Sequence, residues 1–284
     1  MEDKKIRISV EVLGSPLIGI IAGFCALAAV LGIPGTVMIF DQDYRAYLMK
    51  DMIAGGITST QVLQNYTLIH GAFLGICVLC SAALFICLLM VLLGRGAKGL
   101  SMISTGAQWL LWGVNGVGII LAVLYVYRFV RYVILCLSIR EGLYPLYAMV
   151  ISEALTGALA GFAFVQLRRF LNCVCDSGAS MAYTLATGKL DSYSIPSFTA
   201  VGFFLLGLLC LTLATDQLVT VTAAYDYIRG YYKLLVSENP IQLCTAACFF
   251  CCAVADILLF AYLKRYKRIC ERALYEDRKK ILGR

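Results

Sequence analysis

A single histidine, five prolines and a charged fraction of only 14% leave this 284-residue chain poorly equipped for most soluble chemistry. His70 has no second imidazole to work with. No cysteine or carboxylate near it has the spacing of a zinc ligand. The sequence contains no G-x-x-x-x-G-K-[ST], no H-E-x-x-H and no G-x-S-x-G, the patterns that cradle phosphate, hold catalytic zinc or present a nucleophilic serine. The expectation is therefore a protein that is not an enzyme, with no catalytic residues, no metal site and no cofactor. Soluble domains carry about 25% charged residues, and a chain with so few cannot cover a surface in water.

What is abundant is hydrocarbon: 61% of the residues are hydrophobic, against roughly 45–50% in soluble domains. About 20 consecutive apolar residues cross a bilayer as a helix. Six runs qualify: Leu17–Phe40, Leu68–Leu93, Ile103–Tyr127, Leu143–Leu167, Phe198–Val219 and Ile241–Tyr262. The segment Tyr132–Ser138 is too short to span and reads as an interfacial turn or an extension of the third run. The fold expected is all-α, one polytopic transmembrane bundle of six helices filling residues 1–284, with the tail at 263–284 outside the bilayer. The first run is longer than the apolar part of a cleavable signal and lacks a small-x-small site after it, so it is expected to remain as a span.

Lys and Arg set the orientation, because cytoplasmic segments carry their excess. With the N-terminus inside, the inner segments hold Lys4, Lys5, Arg7, Arg95, Lys98, Arg168, Arg169, Lys189 and the nine cations from Lys264 to Arg284. The outer segments hold seven: Arg45, Lys50, Arg128, Arg131, Arg140, Arg229 and Lys233. Both termini are thus expected inside. Tyr44, Tyr47, Tyr125, Tyr127, Tyr144, Tyr147 and the cluster Tyr225, Tyr227, Tyr231 and Tyr232 fall near predicted outer ends, where amphipathic rings prefer to sit. The net charge of +7 is concentrated in the tail and reads as an attraction to anionic lipid at a cell membrane, not to nucleic acid. Asp43–Ile53 is expected to form a helix lying along the outer surface. Asp43-Tyr44…Lys50 and Asp226-Tyr227…Lys233 share a spacing that hints at an internal repeat.

Four polar residues inside spans need a reason. An ionised carboxylate at Glu153, which the fourth run places near mid-bilayer, costs at least about 2.5–3.5 kcal/mol. A role in proton or cation binding and a hydrogen bond to Asn115 across the interface are the two readings. Asp216 and Asp256 lie in the fifth and sixth runs and, with Glu153, are candidates for one carboxylate pathway. Gly19/Gly23, Gly71/Gly75 and Gly157/Gly161 form three G-x-x-x-G pairs, spaced to let helix backbones approach closely. Most of the thirteen cysteines lie in apolar runs, where they behave as small hydrophobes. Cys244, Cys248, Cys251 and Cys252 line one stripe of the sixth helix, and Cys173 and Cys175 lie on the inner side, within reach of acylation. Two functions follow from this reading. One is a non-enzymatic subunit or regulator working through helix contacts with a membrane-protein partner or a second copy. The other is a small permease or proton-coupled carrier using the intramembrane carboxylates.

Overall fold

The computed structural model describes residues 15–46, 60–94, 97–138, 143–187, 197–226, 231–236 and 240–281. Six long helices dominate: α1 Pro16–Val37, α2 Thr60–Leu93, α3 Ala97–Ser138, α4 Leu143–Thr187, α5 Ser197–Leu218 and α6 Pro240–Ile281. Five of them are long and apolar enough to cross a membrane. The apolar stretch of α5, Thr199–Thr215, is shorter. The chain is an all-α polytopic bundle. Pro16 opens α1 at its first position, where a missing N–H costs nothing. Met38–Phe40 closes it as a 3-10 turn. The Asp41 carboxylate then accepts from the amides of Asp43 and Tyr44 at 3.0 and 2.9 Å, capping the helical turn at residues 42–46. The remainder of the expected surface helix, residues 47–53, lies outside the described residues, as does the side chain of Tyr144.

In packing order, α5 lies on α6, α6 on α1, α1 on α2, and α2 on α3. α3 packs mainly on α4, which also touches α2 and α5. The main core joins Ile18, Ile21 and Cys25 of α1 to Leu84 and Leu88 of α2, Leu167 and Leu171 of α4, Phe203 of α5, and Leu259 and Tyr262 of α6. Phe170 and Phe203 meet edge to face with centroids 5.8 Å apart, an arrangement favoured by ring quadrupoles.

α1 is a ruler for depth. Its 22 residues rise about 33 Å, close to the ~30 Å thickness of a hydrocarbon core. A Cβ on Gly32 would meet Val78 of α2 and Cys248 of α6, and one on Gly35 would meet Leu74 and Thr245. Gly106 of α3 lies on Met90 of α2, Gly118 of α3 on Phe164 of α4, and Gly157 of α4 on Tyr125. Carried from helix to helix by these contacts, the outer end of α1 is level with Val123 in α3 and Leu159 in α4. The middle of α1 is level with Ala83 in α2, Gly113 in α3 and Ala253 in α6.

Two helices are longer than a bilayer crossing needs. α3 has 42 residues, about 63 Å, and α4 has 45, about 68 Å. Tyr132–Ser138 is an uninterrupted extension of α3, and α4 begins at Leu143. On the inner side α4 continues past Arg168 and Arg169 to Thr187, and α6 carries the basic segment to Ile281. These extensions pack on one another: Tyr266 donates to Ser177 Oγ at 2.9 Å, both groups buried. Hydropathy windows end where charge begins, whereas a helix ends only where its backbone bonding is broken.

Between α5 and α6 the chain forms an antiparallel pair, β1 Val219–Asp226 and β2 Tyr231–Val236, where the sequence reading expects only an interfacial tyrosine cluster. Val219 pairs with Val236 and Asp226 with Tyr231, with an irregularity between Val221 and Tyr225. The Val-Thr-Val-Thr start of β1 is rich in the β-branched residues that strands favour. Asp226 thus ends a strand while Asp43 sits in a helical turn. Tyr227 and Lys50, two further members of the matched spacing, lie outside the described residues.

Candidate functional site

Glu153 stands on α4 six residues before Leu159, about 9 Å along the helix. Over its described side chains, the apolar stretch of α4 runs from Glu153 to Ser180. Glu153 is buried, and its Oε2 has no hydrogen-bond partner. Tyr125 hydroxyl donates to the main-chain carbonyl of Glu153 at 2.6 Å. Asn115 lies ten residues down α3 from Tyr125, about 15 Å, so it is not the neighbour of Glu153.

Asp256 lies on α6 three residues after Ala253 and is 4% exposed. It lines a cavity of about 50 Å³ with Ser81 and the thiols of Cys25, Cys77, Cys80, Cys210 and Cys252. Roughly 10–15 Å³ admits one water, so the space holds a few. Ser81 Oγ lies 3.4 Å from Cys252 Sγ. No Lys, Arg or His lines this cavity. Among the described residues, no three His, Cys, Asp or Glu side chains come together as metal ligands do.

The intramembrane polar residues are dispersed. Glu153 faces the α3–α4 contact, Asp256 the α1–α2–α5–α6 interior, and Asn115 the half-exposed side of α3. Asp216 sits two residues before the end of α5, its side chain outside the described set. Glu153 and Asp256 share no cavity among the described pockets.

The glycine pairs divide in the same way. Around a Cβ placed on Gly19, Gly23 or Gly161 there is nothing within 4 Å, and one on Gly75 would make ordinary contact with Thr36 at 3.8 Å. Gly157 lies against Tyr125, and Gly71 is buried. Close neighbours also stand at glycines outside the motifs, among them Gly32, Gly35, Gly118, Gly202 and Gly207. Cys173 is 8% exposed and packs inside the inner extension, 3.8 Å from Ser177 Oγ, so a buried thiol stands where the sequence offers an acylation site. His70 is half-buried at the outer end of α2.

Two further polar features escape a search for charge. Gln166 is 2% exposed with Oε1 unpartnered, in contact with Gly202. On α3, Ser101, Thr105, Gln108 and Trp112 are exposed and Asn115 is half-exposed. Their spacing of four, three, four and three residues makes one stripe of the helix, readable in the sequence as a heptad. Gln108 lies about 7 Å from mid-bilayer.

No protein-family model matches this chain, and neither a curated protein nor a solved structure is similar to it. The fold alone defines its class, a multi-pass helical membrane protein.

Proposed function

We propose that this protein is a non-enzymatic component of a membrane assembly, docking α3 against a transmembrane helix of a partner protein. The observation that carries the reading is Gln108, an exposed amide on α3 beside the exposed side chains of Met102, Trp109 and Trp112. Polar side chains at such positions hydrogen-bond across helices, at about 0.6–2 kcal/mol each. Gly113 and Gly116 beside the stripe are exposed, with open space where a Cβ would stand; small residues there let a second backbone come close. A carrier needs its polar groups around one cavity near the midplane; here they are held apart. The basic tail, with Lys264, Arg265 and Arg268 exposed, fits the anionic inner leaflet of a cell membrane.

The test is photo-crosslinking in native membranes from a reactive residue at Gln108 or Trp112, compared with Val30, a lipid-facing position on α1 that is 63% exposed. A discrete protein adduct from α3 alone is expected, weakened roughly 3- to 30-fold in affinity by Gln108→Leu. An adduct at twice the monomer mass makes the partner a second copy. The reading fails if both α3 positions label only lipid, as Val30 does.

A further inference from the structure

The polar stripe of α3 carries no charge. From Gly99 to Tyr127 the chain has no Asp, Glu, Lys, Arg or His, so this stretch offers a neighbour neither a counter-ion nor a like charge. Four of the five stripe residues both donate and accept: the hydroxyls of Ser101 and Thr105 and the amides of Gln108 and Asn115. Thr105 donates to the Ser101 carbonyl at 3.1 Å and keeps its acceptor. A set of this kind is complementary to itself. That is what a two-fold interface demands, because the same patch faces it from the other side. Gln108, Trp109 and Trp112 bound a surface recess of about 190 Å³, with the two indole centroids 6.4 Å apart and the rings inclined at 51°. Gly113 and Gly116 are exposed and have nothing within 4 Å of a Cβ.

We propose that this stripe pairs with the same stripe of a second copy, the two α3 helices lying parallel about a two-fold axis along the membrane normal. The proposal rests on the docking reading of α3 and names its partner. Copies of one membrane protein enter the bilayer in the same orientation, so this axis sets each residue opposite its own counterpart at the same depth. Alternating steps of four and three residues form the seam that two parallel helices share, and a polar residue on that seam fixes register and oligomeric state. Each Gln108 amide donates to the carbonyl of the other Gln108, and the Asn115 amides do likewise two turns on. The recess beside Trp109 and Trp112 is the hole into which a facing side chain fits, while Gly113 and Gly116 let the backbones approach. A helix of a different protein needs a donor or acceptor placed independently at each of these levels. A second copy brings them all by symmetry.

The experiment expresses two copies of the full chain with different epitope tags in one membrane, one copy carrying a photoreactive residue at Gln108 or, as control, at Val117. Val117 is 44% exposed and nine residues from Gln108, about 180° round the helix. An adduct carrying both tags is expected from Gln108 and not from Val117. In phosphatidylcholine vesicles the purified chain, with donor and acceptor dyes on its tags, is expected to show energy transfer that falls on lipid dilution. Gln108→Leu is expected to weaken this association about 3- to 30-fold. Gly116→Leu grows into open space and is expected to weaken it by holding the backbones apart. Unfolding midpoints of both variants are measured to show that they fold. An adduct with a different protein and none with both tags overturns the second copy while leaving the docking reading in place. Lipid adducts alone overturn both. Equal two-tag labelling from Val117, or unchanged energy transfer in both folded variants, also overturns the pairing.

Discussion

Gly32→Ala is expected to destabilise the bundle, whereas Gly19→Ala and Gly23→Ala are not. The methyl added at Gly32 overlaps Val78 Cγ2 and lies 3.1 Å from Cys248 Sγ, so one atom is wedged among three helices. Val78 is β-branched and stiff at χ1, and Cys248 is fully buried, which leaves relaxation to backbone movement. Inserted methyl groups in well-packed cores cost about 1–3 kcal/mol, which is roughly 5- to 160-fold in the unfolding equilibrium. Gly35→Ala, one turn on, meets Thr245 Oγ1 at 2.8 Å and Leu74 at 3.1 Å and has a similar expected cost. The two are too close to add independently. Gly19 and Gly23 face open space, and Ala there lies within about 0.5 kcal/mol of the native protein. The assay is reversible unfolding in mixed detergent micelles followed by circular dichroism. A neutral Gly32→Ala together with a destabilising Gly19→Ala or Gly23→Ala would refute the helix register on which the depth assignments rest.

Three other outcomes follow from the same packing. Gly157→Leu collides with Tyr125 and is expected to cost about 1–3 kcal/mol, with loss of the Tyr125–Glu153 bond visible as a shifted tyrosine hydroxyl band in infrared spectra. Tyr266→Phe removes the hydrogen bond to Ser177 and is expected to cost about 0.5–1.5 kcal/mol in the same unfolding assay, with Tyr275→Phe, at a 69% exposed site, as the neutral control. Under native conditions a maleimide reagent is expected to label half-exposed Cys175 and spare Cys173, which is 8% exposed; mass spectrometry of the labelled protein finding Cys173 modified first would contradict the packing of the inner extension.

Composition and periodic hydropathy were sufficient for the solvent, the helical class and the six-segment count, because a lipid-spanning backbone must satisfy its own hydrogen bonds and only long apolar helices do so here. The Tyr132–Ser138 segment was legible as a possible extension of the third helix, though not as a choice between the two readings. Which helices meet, and at what register, needed the cross-helix contacts at Gly32, Gly106, Gly118 and Gly157. Likewise, a G-x-x-x-G spacing states that a helix has a small face, not that a neighbour covers it. Gly19 and Gly23 possess the motif, while Gly32 and Gly35 receive the neighbours. The heptad of Ser101, Thr105, Gln108, Trp112 and Asn115 was present in the sequence all along, yet its meaning depended on α3 lying at the edge of the bundle. Whether a polar stripe is core or surface is a property of what packs against it, and only the tertiary structure decides that.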